Sequence, residues 1–331
     1  MSRYAVAIVA FLMAAIIGGF YAGRVYLAGN SPKSTATEFY SSRPAGEKTT
    51  ASVPPLPPAK PADNKAGSPP PQTENKKKNT GENSSGDRKN QAGNSPSLAL
   101  SNERHGWGIK RNDNHQQPEM PGAIRDTLAR YDAYWIGSPE EKVLYLTFDE
   151  GYENGYTPKI LDILKANNVK AAFFVTGHYL KTRPELVKRM VAEGHIVGNH
   201  TMNHPSLPDI SDEEIRKELQ SVEELFTKLT GKKMKYLRPP KGEYSERTLA
   251  VTRQLGYYNI FWSLALVDWV PMPGGPQEAY QSVMDNLHNG AVILLHAVSR
   301  DNTEALDRIL KDARAQGYTF KTLDDLVAKK A

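Results

Sequence analysis

Residues 143–156 read VLYLTFDEGYENGY, and the fold follows from how that stretch is parsed. Positions 143–148 are apolar or β-branched almost throughout, the composition of a strand covered on both faces. Gly151 and Gly155 then permit the tight backbone of a loop that approaches a ligand closely. Between strand and loop stand two adjacent carboxylates, Asp149 and Glu150. At the C-terminal end of a strand such a pair suits a site where one group binds a cation and the other handles a proton. An isolated Asp-Glu pair more often marks an ordinary polar turn, so its weight depends on what later strand ends supply.

From Lys142 onward, strand and helix signals alternate with few gaps. TPKILDILKANN reads as a helix with Thr157 as its cap and Pro158 in its first position. KAAFFVT (170–176) is a strand, PELVKRMVAEG a helix ending at Gly194, and HIVGNH the next strand. SDEEIRKELQSVEELFTKLTG follows, with Ser211 and Glu214 spaced as a capping box. Then come a short strand at Tyr236–Arg238, the helix SERTLAVTRQLG, the strand NIFWSLA and a helix near 277–288. Strand AVILL, a helix over 302–316, strand YTF and helix TLDDLVAKK complete the series. Strands separated by helices imply an α/β fold, a distorted (β/α) barrel with about seven parallel strands.

In such a barrel the C-terminal strand ends share one face, where catalytic groups gather. The first strand ends in Asp149-Glu150 and the third in a run from Asn199 to His204 containing His200. The fourth ends in Arg238-Pro239-Pro240-Lys241-Gly242, the fifth runs on to Asp268-Trp269, and the sixth ends in His296. Singly, each has a bland reading: loop histidines, an ion-pair arginine, a core tryptophan. Together, two histidines at HxxxH spacing and a neighbouring carboxylate pair meet the ligand requirement of a divalent metal.

The 331 residues contain no cysteine, which excludes disulfides and thiolate metal sites and leaves His and carboxylates as ligands. The net charge of +5 resides outside the strand-helix region. Residues 31–98 carry ten Lys and Arg against six Asp and Glu, whereas residues 99–331 carry 30 against 31. That near-neutral balance is not the footprint of a nucleic-acid-binding protein. Residues 4–23 are uncharged, lie between Arg3 and Arg24, and as a helix would span about 30 Å. Residues 1–30 are accordingly expected to be a transmembrane anchor rather than a cleaved signal peptide, holding the remainder outside the cytoplasm. Residues 31–98, rich in Pro, Ser, Asn, Lys and Gly, have too little apolar content to bury a core and are expected to form a disordered tether. Residues 101–136 look like a lead-in at the start of the folded part, which occupies 99–331.

The wording at the strand ends resembles the polysaccharide deacetylases with a NodB-type domain, over about Trp107 to Lys330. TFDEG stands for that family's TFDDG motif, HTMNH for its H-S/T-x-x-H, RPPKG for R-x-P, ALVDW for Asp-Trp, and LLH (Leu294 to His296) for L-x-H. Around the motifs, TFDEGYENGYT, EGHIVGNHTMNHPSL and LLHAVSRDN are most similar to the sporulation-type deacetylases that act on N-acetylmuramic acid in peptidoglycan, where the freed amine closes a δ-lactam. The resemblance implies metal-assisted amide hydrolysis. His200, His204 and Glu150 would hold one divalent ion, zinc or another transition metal such as cobalt. Asp149 would be the base, oriented by Arg238, and His296 the acid, its pKa raised by Asp268. The Lys241 N–H would face the oxyanion, and Trp269 and Leu294 would wall the pocket. Glu150 departs from the family's usual Asp, a change that the δ-lactam branch shares in kind. Its extra methylene moves the carboxylate by roughly 1.5 Å and puts its role as a ligand in question. Two alternatives stand beside this reading: a deacetylase of N-acetylglucosamine in peptidoglycan or of chitin or xylan, and a non-catalytic wall-binding module. Loss of Asp149 or His296 would mark the module, and both are present.

Overall fold

Among residues 100–328, which the computed structural model describes, nine strands pair in parallel. They are β1 (Ala133–Tyr134), β2 (Val143–Glu150), β3 (Ala172–Val175), β4 (Ile196–Asn199) and β5 (Tyr236–Leu237), then β6 (Tyr258–Ile260), β7 (Leu264–Ala265), β8 (Ala291–His296) and β9 (Thr319–Phe320). The sheet runs β1-β6-β5-β4-β3-β2-β8-β7, with β9 added beside the start of β2. Only Phe261–Ser263 separate β6, near one end of that series, from β7 at the other. The sheet therefore curls until one continuous segment, Tyr258–Ala265, pairs with β5 at its beginning and with β8 at its end. All seven expected strands are found; β1 is additional, and the stretch NIFWSLA is broken into β6 and β7 where it changes neighbours.

Helices flank the sheet on both faces. They are α1 (Gly122–Arg130), α2 (Thr157–Ala166), α3 (Gly177–Thr182), α4 (Pro184–Ala192), α5 (Asp212–Thr230), α6 (Glu246–Gln254), α7 (Gly275–Met284), α8 (Arg300–Ala315) and α9 (Leu323–Ala328). The capping box on α5 forms as its spacing predicts, with Ser211 and Glu214 exchanging both bonds. Thr157 is not the cap of α2. It is the first helical residue, and the Glu153 carboxylate receives the N–H groups of Gly155 and Thr157 instead. The Thr157 hydroxyl is thereby free to point inward.

Alternation along the strands sorts the core into two layers. Leu144, Leu146, Phe148, Phe173, Val175, Ile293 and Leu295 pack outward against the helices. Tyr145, Phe174, Tyr236, Ile260 and Val292 point to the interior and meet Leu323 and Leu326 of α9. β2 is buried at every position because it has a core on each side. Among the described residues no helix is long and apolar enough to cross a membrane. The expected anchor (1–30) and tether (31–98) lie outside the described residues.

One glycine locks the closure. Gly290, just before β8, has φ of 72°, and its carbonyl oxygen accepts the Gly137 N–H at 2.7 Å. A Cβ at Gly290 would fall 2.5 Å from the Gly137 carbonyl carbon. Gly290→Ala is expected to lower stability by about 2 kcal/mol or more, from left-handed strain plus a backbone clash. Thermal unfolding checks it, and an unchanged midpoint would refute it.

Candidate active site

Asp149 stands at the C-terminal end of β2 with its side chain on the interior face, in register with Phe174 of β3 and His296 of β8. Its Oδ1 accepts from Arg238 Nη1 at 2.7 Å. Arg238, fully buried, follows β5 and also donates internally from Nε to the Ile260 carbonyl oxygen (3.1 Å) and from Nη2 to Thr147 Oγ1 (2.8 Å). Its guanidinium lies over the Phe174 ring at 4.2 Å. Burial alone would raise the Asp149 carboxyl, but Arg238, His200 and His296 together outweigh it and hold the group below the usual carboxylate range.

His200 follows β4. Its Nδ1 bonds the Arg238 carbonyl oxygen at 2.8 Å, and because a carbonyl only accepts, Nδ1 carries the proton. The lone pair on Nε2 is then aimed at the pocket, 3.6 Å from Asp149 Oδ2 and 3.1 Å from His204 Nε2. The tight turn between the two histidines puts Thr201 and His204 at positive φ. It is held by the Asn199 side-chain oxygen, which accepts the Thr201 N–H, and by Thr201 Oγ1, which accepts the His204 N–H. Such strain collects where geometry matters to function.

These two imidazoles fit a divalent ion. Two nitrogens sharing a tetrahedral zinc lie about 3.3 Å apart, close to the observed spacing. Burial lowers both pKa values, that of His204 to about 4, so both are neutral near pH 7 and able to ligate. Glu150 does not join them. As an even-numbered neighbour of Phe148 it faces the helices, fully buried, and accepts the Thr157 hydroxyl at 3.2 Å. Burial, then the charge of Glu153, push its carboxyl well above the ordinary range. Strand alternation thus overrides the expectation that both carboxylates serve one centre. Among the described residues no set of three His, Cys, Asp or Glu groups is arranged as a metal cage, so the chain offers the two histidines.

A second titratable group stands beside Asp149, on the neighbouring strand. His296 Nδ1 meets Asp268 Oδ1 at 2.6 Å, while Asp268 Oδ2 accepts the His296 backbone N–H (2.7 Å) and the Asn302 amide. Burial would lower the His296 pKa, but Asp268 raises it above the usual value. The Trp269 ring packs edge-on to that imidazole with centroids 5.1 Å apart, and Leu294 also lines the pocket. On the far side Lys241 adopts φ 59°; its N–H makes no turn bond, unlike those of Gly242 and Glu243. The pocket these groups surround holds about 240 Å³. That is below the range of about 300–1,000 Å³ for sites that enclose a whole ligand. It suits one residue of a polymer that otherwise lies along the surface.

The polysaccharide deacetylase family model matches residues 136–260. The peptidoglycan-N-acetylmuramic acid deacetylase PdaA of Bacillus subtilis is 50% identical over 234 residues, which are 70% of this chain and 89% of that protein. The chain belongs to the polysaccharide deacetylase family. The solved structure of Bacillus subtilis PdaA, a family 4 carbohydrate esterase, is 49% identical with a TM-score of 0.67, covering 70% of this chain and all of that one. A peptidoglycan-N-acetylglucosamine deacetylase of Bacillus cereus is 36% identical, over 59% of this chain and 72% of that protein.

In this deacetylase, Asp149, Arg238, His200, His204, Asp268, His296, Trp269, Lys241 and Leu294 meet at one end of the curled sheet. Among the pocket residues given no role by the motif reading are Trp107, Ile109 and Arg111 from the lead-in, Trp262, and Tyr152, which is 52% exposed at the rim. The lead-in carries a faint signal, since WGIKR alternates large side chains with a period of two.

The placement of Glu150 is testable. Glu150→Gln should keep bound metal and lose less than about threefold in rate, whereas His204→Ala should lose the metal at micromolar concentration. Because an acid with a raised folded pKa is destabilising once its unfolded counterpart ionises, wild type should also lose stability relative to Glu150→Gln as pH rises past about 4.5. Metal analysis and melting curves read both. Metal loss in Glu150→Gln equal to that of the histidine variant would restore Glu150 as a ligand.

Proposed function

We propose that the enzyme removes the acetyl group from N-acetylmuramic acid in peptidoglycan glycan strands, the freed amine going on to close muramic δ-lactam in spore cortex. The observation that carries it is the 50% identity to the muramic acid deacetylase, across nearly all of that protein, against 36% to the glucosamine enzyme. Two proton-handling groups on neighbouring strands support the chemistry: a carboxylate whose pKa is lowered and an imidazole whose pKa is raised.

A divalent ion held by His200 and His204 would polarise the acetyl oxygen and acidify the attacking water. Asp149, kept ionised by Arg238, takes a proton from that water as its oxygen attacks the amide carbon. The unbonded Lys241 N–H is available to the oxyanion. His296 gives its proton to the sugar nitrogen as the C–N bond breaks, leaving acetate and a free amine, while Asp268 stabilises the imidazolium until transfer. Trp269 and Leu294 exclude water from the acetyl methyl. The uncharged stretch 4–23 supports an extracytoplasmic, membrane-anchored setting in which the substrate is the wall itself.

Full-length protein incubated with peptide-free glycan strands, and separately with chito-oligosaccharides, should yield deacetylated muramic residues by mass spectrometry. Deacetylation confined to the glucosamine substrates would replace this reading with the other sugar. The proton roles predict a bell-shaped rate profile, measured with saturating metal. Asp268→Asn removes the charge that favours the imidazolium, so the alkaline limb should move to lower pH while the acidic limb stays. An unmoved alkaline limb would mean that another group is the acid.

A further inference from the structure

The pocket contains a part-buried cation that the hydrolysis does not use. Arg111 lies in the segment before β1, and its Nη2 donates to the Ala265 carbonyl oxygen at 2.5 Å. Ala265 pairs with Leu294, and all three residues line the pocket that holds Asp149 and His296. Ile109 and Trp107, two and four positions earlier, line it as well, so one side of an extended stretch is applied to the site. Among the described residues no carboxylate pairs with Arg111, although exposed arginines elsewhere find one readily. Burial disfavours its charge and lowers its pKa. A guanidinium that is partly desolvated and has no counterion is a cost that a bound anion would offset. Its planar fork still has donors free, the geometry that grips a carboxylate through two parallel bonds. Lys241, the other cation at the pocket, is exposed.

The muramic reading supplies such an anion. N-acetylmuramic acid differs from N-acetylglucosamine by a lactyl ether on the carbon next to the one bearing the acetamido group, and that ether ends in a carboxylate. The anion therefore sits a few bonds from the reacting amide, inside the same pocket.

We propose that Arg111 binds the lactyl carboxylate of N-acetylmuramic acid and so selects it over N-acetylglucosamine. This rests on the muramic reading above. The test is a cycle of two enzymes and two substrates: full-length wild type and Arg111→Gln, each on peptide-free glycan strands with the lactyl carboxylates intact or amidated. Acetate release gives KM and kcat. For wild type, amidation should raise KM about tenfold, with kcat changed less than about threefold. Arg111→Gln should show that higher KM on both substrates and be insensitive to amidation. Arg111→Lys, which keeps the charge without the fork, should fall between. Matching melting temperatures would exclude misfolding. If Arg111→Gln remains as sensitive to amidation as wild type, or wild type is insensitive, the assignment is wrong and the muramic reading survives. If wild type fails to act on intact strands, both fall together.

Discussion

A single buried ion pair organises this molecule. Arg238 enters the interior of the curled sheet from the end of β5 and bonds Asp149 on β2, Thr147 on β2 and the Ile260 carbonyl on β6, with Phe174 of β3 against its face. It thus reaches four strands that are far apart in sequence. Two charges taken out of water are tolerable only when they are paired and hydrogen-bonded, and here each guanidinium nitrogen donates one bond. Removing either member of such a pair costs about 3–5 kcal/mol, because the other is left buried and unpaired. The same residue also governs the chemistry: its side chain keeps Asp149 ionised, and its carbonyl oxygen fixes the His200 tautomer so that Nε2 faces the pocket.

Asp149 and Glu150 show how one peptide unit can separate two identical functional groups. Asp149 projects inward to a guanidinium and two imidazoles; Glu150 projects outward, fully buried, to a hydroxyl. One is held as an anion, the other pushed toward its neutral form. Around Glu150, Thr157 offers its hydroxyl while Glu153 takes over the helix cap and also accepts from Tyr179. The loop following β2 is consequently tied on its outer side, leaving Gly151 and Tyr152 toward the pocket.

Asp149 and His296 are oriented by different means. Asp149 is gripped from within the sheet, whereas His296 is gripped by Asp268 from the loop after β7, with Asn302 of α8 steadying that carboxylate. The histidine pair owes its approach to a strained turn, and Lys241 to another left-handed residue. The rigid strands set the spacing, and the loops at their ends spend conformational strain to aim the groups.

Much of this was legible in the sequence. Strand and helix periods gave the alternating architecture. The ionisable residues at successive strand ends could be assigned to one face, because parallel strands place all C-terminal ends together. Ser211 and Glu214 marked a helix start for a purely local reason, a cap within one turn. Glu150 lay within reach of the same local logic, since a period of two puts it opposite Asp149. At a strand's last residue, however, sequence does not say whether the strand continues or the chain has already turned. Tertiary structure alone decided three things: that NIFWSLA breaks to join both ends of the sheet, that Thr157 faces Glu150 rather than capping its helix, and that Trp107, Ile109 and Arg111 meet a pocket formed by strands far along the chain. Each depends on contacts between segments distant in sequence, which no local pattern encodes.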